Sequence, residues 1–137
     1  MKPLHLLAPL LLIAAGCATS SRGDFPVRNV RYSAAGENPT WMLAIGAEGI
    51  AFRQAGEVWI IAPRTSPRVR QGVRTWRSGH VPGAIVVEAR AAPCTSASGE
   101  VFEDEVVVRL SDDEINLEDG SIRPFTQQFR GCGGARR

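Results

Sequence analysis

Residues 41–52 read WMLAIGAEGIAF, two short apolar runs separated by the turn-forming sequence GAEG. Aromatic and branched apolar residues lie at every second position in both runs, so they share one face of an extended chain. These residues are Trp41, Leu43, Ile45, Ile50 and Phe52. Alternation at period two on both sides of a glycine-containing turn is typical of a β-hairpin with one buried face.

The same pattern continues along the chain, where short period-two runs are separated by Gly, Pro, Asn and Asp and no segment keeps a helical period. We expect further strands at residues 27–33, 58–61, 69–77, 84–91, 106–110, 115–117 and 125–129. The pattern predicts an all-β antiparallel domain over residues 27–132, a small barrel or a sandwich. A barrel is slightly favoured because closure removes exposed edges. Residues 58–61 are apolar throughout, so we expect that strand to be covered on both faces.

The first 16 residues differ from the rest. Lys2 precedes an apolar run at residues 4–15, too short to span a bilayer and typical of a secretory signal. Residues 13–17, IAAGC, resemble the lipobox of bacterial lipoproteins. In that family the cysteine is lipidated and the peptide is cut before it, which implies a lipoprotein signal peptide at residues 1–16 and a lipidated Cys17. The alternative is an ordinary signal peptide that happens to end beside a cysteine.

The lipobox resemblance also implies a location. Residues 17–26 read as the lipidated cysteine and a short polar tether that ends at Pro26. Two or three acyl chains, palmitate among them, anchor a protein without spanning the membrane. Ala18 follows the cysteine, and the family's sorting habit then favours the outer membrane, facing the periplasm. We expect a monomer that contacts the membrane through its lipid.

Cys94 and Cys132 are the two cysteines left after the lipobox. An even pair in an exported chain favours a disulfide, and its loop of about 38 residues is worth roughly 3.5–4 kcal/mol in the chain-entropy model. Free thiols or metal ligands are the alternative. Residues 133–137, GGARR, read as a flexible C-terminal tail.

Charge is balanced overall, with 16 Lys and Arg against 14 Asp and Glu, but it is unevenly distributed. Residues 64–77 contain five arginines and no acid, whereas residues 100–119 contain nine acids and one arginine. Guanidinium groups suit the phosphates and carboxylates of envelope anions, so Arg68, Arg70 and Arg74 are candidate contacts. The alternative is a solvated face that pairs with the acidic segment. We expect no nucleic-acid partner outside the cytoplasm.

Few residues are available for catalysis. Past the signal the one histidine is His80, in a Gly/Pro turn, and a Ser or Cys nucleophile usually needs such a base beside it. Glu103 and Glu105 read as a solvated strand face, and residues 111–121 lack the EF-hand spacing. We therefore expect no enzyme activity, no catalytic residue, no metal and no cofactor. The tryptophans are expected in the core: Trp41, Trp59 and Trp76.

Residues 36–45, GENPTWMLAI, resemble the G-x-E-P-x-W-x-L-x-I opening of a little-characterised family of bacterial exported proteins and lipoproteins. Residues 74–77 (RTWR), 93–94 (PC) and 130–132 (RGC) are similar to its later motifs in order and spacing. The polar run at residues 95–100 departs from the family's pattern. The resemblance implies a compact β domain, the disulfide and an envelope location, and it carries no activity.

Residues 96–102, SASGEVF, resemble the S-A-S-G-x-x-aromatic motif of membrane-bound inhibitors of C-type lysozyme. Those proteins are also small β-barrel lipoproteins with one disulfide, and their Ser-Gly loop enters the lysozyme active-site cleft. The resemblance makes Ser98 and Gly99 candidate partner-binding residues, although Cys94 lies beside the motif rather than in an early strand. The sequence thus predicts a non-enzymatic envelope lipoprotein with a binding or envelope-integrity role; the alternative is a lysozyme inhibitor acting through residues 96–99.

Overall fold

The computed structural model describes residues 25–80, 83–115, 118–119 and 122–137. These ranges contain nine β-strands and no helix, hence no helix that could cross a membrane. The strands are β1 (Tyr32–Glu37), β2 (Thr40–Ile45), β3 (Gly49–Gln54), β4 (Ile60–Pro63), β5 (Arg68–Arg70), β6 (Val73–His80), β7 (Gly83–Thr95), β8 (Val101–Ile115) and β9 (Ile122–Arg136).

All nine strands form one antiparallel sheet in the order β4-β3-β2-β1-β9-β8-β7-β6-β5. Consecutive hairpins build each half of the sheet, and the halves join where β1 pairs with β9 at Ala34↔Gly133 and Ala35↔Cys132. The sheet curls into a half-barrel, and the hydroxyl of Ser78 on β6 donates to the Pro63 carbonyl on β4 over 2.8 Å. The predicted all-β antiparallel class is confirmed, in the form of this half-barrel.

The main core lies on the concave side of the sheet. The alternation predicted within residues 41–52 is confirmed, because its five apolar residues are all buried there. Phe52 lies 5.8 Å from Trp41 and 5.0 Å from Phe129, ring centroid to ring centroid. Aromatic packing of this kind adds to the area that each ring buries, and here it connects the two halves of the sheet.

A second, smaller cluster covers the convex side of β2 and β3. Ala44 and Ala51 are fully buried there beneath Val27, and Phe25 meets Trp59 edge-on at 5.8 Å. The chain before β1 therefore serves as a cover for the sheet. The strand predicted at residues 27–33 begins only at Tyr32.

Strand β4 corrects one prediction. Val58 is 84% exposed and Ile61 is 50% exposed, so residues 58–61 are not covered on both faces. Val58 precedes β4, which begins only at Ile60. Ile61 is exposed because β4 ends the sheet and, among the described strands, pairs only with β3. A continuous apolar run alone does not show whether a strand is in the centre of a sheet or at its edge.

The later strands are longer than the sequence predicts. Residues 106–110 and the start of 115–117 belong to the single strand β8, because the pairing with β9 continues through the acidic residues between them. Residues 133–136, expected in a tail, continue β9, and Arg136 pairs with Phe102.

The predicted disulfide between Cys94 and Cys132 is confirmed, with the Cα atoms 5.5 Å apart. Cys94 is on β7 and Cys132 is on β9, and β8 separates these strands in the sheet order. Strands on either side of a third strand are normally about 10 Å apart. Register shifts between Ala91 and Cys94, and between Phe102 and Asp104, accompany the closer approach. The disulfide therefore fastens the end of the β7–β8 hairpin to β9.

We expect the double variant Cys94→Ala/Cys132→Ala to lose about 3–4 kcal/mol of unfolding free energy, because the cross-link closes a loop between residues 38 apart. Urea unfolding followed by tryptophan fluorescence would measure the loss. Reductant should lower the wild-type midpoint to that of the variant and leave the variant unchanged. A loss below about 1 kcal/mol would contradict this account of the hairpin end.

Candidate functional site

The turn between β7 and β8, residues 96–100, projects the candidate residues Ser98 and Gly99 into solvent. We call it the tip loop. The Gly99 amide donates to the Ser96 carbonyl over 2.9 Å, and the Ser96 amide donates to the Glu100 carbonyl over 2.8 Å. Gly99 has a φ of +90°, which a residue without a Cβ adopts at little cost. Local hydrogen bonds thus define the shape of this exposed loop.

Side chains add further contacts within the tip loop. The hydroxyls of Ser96 and Ser98 lie 2.9 Å apart and share a hydrogen bond, and Glu100 pairs with Arg136 at 3.4 Å. The disulfide lies two residues before Ser96. The tip loop is therefore exposed, internally bonded and fastened at its base.

A groove of about 740 Å³ lies on the sheet beside the tip loop. Outward-facing residues of β1, including Ser33 and Ala35, form part of its lining, together with both cysteines of the disulfide and Phe25. Its charged lining residues are Glu37, Glu100, Glu105 and Arg130. The groove offers small polar and apolar contacts next to the loop that the sequence identifies as a candidate.

The polar groups of this region include hydroxyls, carboxylates and the Arg130 guanidinium. No histidine lines the groove, and the Ser96 and Ser98 hydroxyls bond to each other rather than to a base. Over the described ranges, no group of three His, Cys, Asp or Glu side chains is placed to hold a metal ion. What the region presents to a partner is a fixed loop, hydroxyls, backbone groups and a shallow apolar surface.

The three candidate arginines do not lie together. Gln71 and Gly72 have positive φ values of 52° and 78° and close a two-residue hairpin between β5 and β6. Arg68 and Arg70 are exposed on the convex side. Arg74 faces the core side, because its cross-strand partner on β7 is the buried Ala89.

Arg74 is bound within the domain. Its Nη2 lies 2.7 Å from Oδ2 of Asp104, a carboxylate that is only 3% exposed. The guanidinium carbon also lies 5.1 Å from the Tyr32 ring and 5.5 Å from the Trp76 ring. Arg74 therefore pairs with the acidic segment, residues 100–119, which was the alternative to an anion contact.

Tyr32 completes this buried cluster. Its hydroxyl donates to Oδ2 of Asp104 over 2.8 Å, and its ring lies 5.3 Å from that of Trp76. Burial, followed by the hydrogen bond and the charge of Asp104, raises the pKa of the Tyr32 phenol above its usual range. The cluster connects β1, β6 and β8 at one end of the half-barrel.

Sequence reasoning missed Tyr32 and Asp104, although one signal was available. Asp104 is two residues before Val106 and four before Val108, so on a strand it shares their buried face. Its position within a run of acids instead suggested a solvated surface. The expected core positions of Trp41 and Trp76 are confirmed, and Trp59 is partly buried in the smaller cluster.

The titration of Tyr32 tests this cluster, because the chain contains a single tyrosine. A phenol whose folded pKa is raised stabilises the fold below its unfolded pKa of about 10, and the contribution is lost as pH rises above that value. We expect unfolding free energy to fall by up to about 1.4 kcal/mol per pH unit above pH 10. Tyr32→Phe should show no such fall.

Absorbance at 295 nm provides the direct measurement. The native protein should form no tyrosinate until circular dichroism reports unfolding, whereas the protein in guanidinium should titrate near pH 10. A native spectrum accompanied by a tyrosinate midpoint near pH 10 would contradict the buried hydrogen bond.

His80, expected in a turn, is the last residue of β6 and pairs with Gly83 of β7. The predicted signal peptide, Cys17 and residues 18–24 of the tether lie outside the described residues. Comparisons with protein-family models, with curated proteins and with solved structures found no match for this chain.

Proposed function

We propose that this protein is a non-enzymatic lipoprotein of the bacterial cell envelope that acts by binding a partner. The tip loop carries the proposal: it is exposed, held by its own hydrogen bonds, and cross-linked through Cys94 to the sheet beside an open groove. A loop ordered before binding loses little conformational entropy when a partner engages it. This arrangement supports recognition of a partner.

The proposed anchor keeps the domain close to the bilayer. Eight peptide units separate Cys17 from Phe25, which packs on Trp59. Even fully extended, that segment reaches about 25–30 Å. A partner of the domain would therefore lie at the membrane surface or in the space directly beside it.

Metabolic labelling with radioactive palmitate tests the anchor. Expressed in a bacterium that processes lipoproteins, the full chain should carry label and fractionate with membranes, and Cys17→Ala should carry none. The control is Cys94→Ala/Cys132→Ala, which removes two cysteines and should keep the label. Unlabelled wild-type protein, or label that persists in Cys17→Ala, would refute lipidation at this residue.

The second candidate function is inhibition of C-type lysozyme through the tip loop. The specific observation in its favour is that Ser98 and Gly99 lie at the exposed end of a narrow hairpin. A projecting loop of this shape could enter an enzyme's cleft, whereas the groove could not. The resemblance at residues 96–102 names the same loop.

We expect the domain from Ser20 to Arg137 to inhibit a C-type lysozyme at micromolar concentration if this second function holds. Ser98→Trp should then weaken inhibition at least about tenfold, since a bulky side chain at the centre of an interface prevents close contact. The matched control is Glu57→Trp, in the exposed β3–β4 turn, which should inhibit normally. Absence of inhibition at micromolar protein would eliminate this candidate and leave the lipoprotein proposal in place.

A further inference from the structure

The convex side of β5–β9 carries an array of arginines that no single segment of sequence contains. We call it the arginine face. Its members are Arg68 and Arg70 on β5, Arg77 on β6, Arg90 on β7, Arg109 on β8 and Arg130 on β9.

Strand register places these side chains on one surface. Residues directly opposite each other in an antiparallel pair point to the same side. Arg70 is opposite Val73, which is opposite Arg90. Trp76, Val87, Val108 and Phe129 form a cross-strand row of buried residues. This row is three positions from the arginine row, and side chains an odd number of positions apart on a strand point to opposite sides, so the arginine row points away from the core.

A second row repeats the arrangement. Arg77 is opposite Val86, and Val86 is opposite Arg109. Strands are spaced about 4.8 Å apart, so arginines on alternate strands lie about 10 Å apart and the five strands span roughly 19 Å. The result is a two-dimensional array of cations and not a pocket for one small anion.

Acids offset only part of this charge. Two outward-facing acids lie among these arginines. Glu88, in the cross-strand row of Arg68 and Arg130, forms an ion pair with Arg109, and Glu105 is directly opposite Arg90. Across the described residues the structure records no ion pair for Arg68, Arg70, Arg77 or Arg90, and all four are exposed. Because the whole chain is nearly neutral, the positive charge belongs to this face rather than to the protein as a whole.

We infer that the arginine face docks against the anionic phospholipid headgroups of a bilayer. Headgroup phosphates form a two-dimensional anionic array, which complements a cationic array spread over five strands. Arg130 is at the border of this array, where it also lines the groove beside the tip loop. Each basic residue held near such a surface contributes about fivefold to binding, and guanidinium groups pair bidentately with phosphate. This contact goes beyond the proposed lipid anchor: the anchor determines distance from the membrane, and the face determines which side of the domain lies on it.

Vesicle sedimentation with residues 18–137 tests the inference. This segment contains every described strand. It lacks Cys17, so lipidation cannot contribute to binding. A negative result would therefore count against the arginine face and not against the proposed lipid anchor. Vesicles of phosphatidylcholine with 40% phosphatidylglycerol are compared with pure phosphatidylcholine, in 50 mM and 300 mM salt. We expect binding only to the anionic vesicles, and a steep loss of binding at high salt, because screening shortens the range of surface charges.

The decisive comparison uses two variants of equal net charge. Arg68→Gln/Arg70→Gln/Arg90→Gln removes charge from the arginine face and should lower the partition coefficient at least about tenfold. Arg28→Gln/Arg31→Gln/Arg137→Gln removes the same charge from exposed positions elsewhere and should lower it less than about threefold. Circular dichroism would confirm that both variants fold, as expected for exposed substitutions.

Three results would overturn the inference. The wild-type domain could fail to bind anionic vesicles at 50 mM salt, or the two variants could lose binding equally, which would indicate a response to net charge alone. Dextran sulfate, used as a soluble polyanion, could retain the domain while vesicles do not, which would assign the face to an extended polymer instead of a bilayer.

Discussion

The half-barrel depends on Trp41 lying across the junction between β1 and β9. A Cβ on Gly36 of β1, or on Gly131 of β9, would collide with the indole ring. The ring's Nε1 also donates to the Arg130 carbonyl over 3.2 Å, so its one polar group is satisfied while its apolar surface is buried. This junction is the strand pairing that joins the two halves of the described sheet, and the absence of two side chains lets the ring cover it.

The contact of Trp41 with Gly36 and Gly131 explains why two motifs that are far apart in the sequence belong together in the fold. Gly36 and Trp41 belong to residues 36–45, and Gly131 belongs to the closing run before Cys132. In space the Trp41 ring packs against both glycines. Cys132 of the disulfide directly follows Gly131. Period-two alternation predicted the strands around Trp41 because it reports a local property, the burial of one face.

Other features depended on information that a local pattern does not contain. Exposure of Ile61 follows from the position of β4 at the end of the sheet. The separation of Arg68 and Arg70 from Arg74 follows from the turn at Gln71 and Gly72, which reverses the chain within a run that reads as one strand. The arginine face is a product of register, since its members come from five strands.

The order of strands also determines when the domain can form. Strand β1 precedes its partner β9 by about a hundred residues, and β9 is the most C-terminal of the described strands. Pairing over such a separation is intrinsically slow, because loop closure precedes any favourable contact. Residues 25–63 can form hairpins early, but their sheet stays incomplete, and Trp41 lacks half of its cover, while β9 remains to be synthesised. Until that strand is available, the free edge of β1 stays unpaired, so the most C-terminal of the described strands completes the fold.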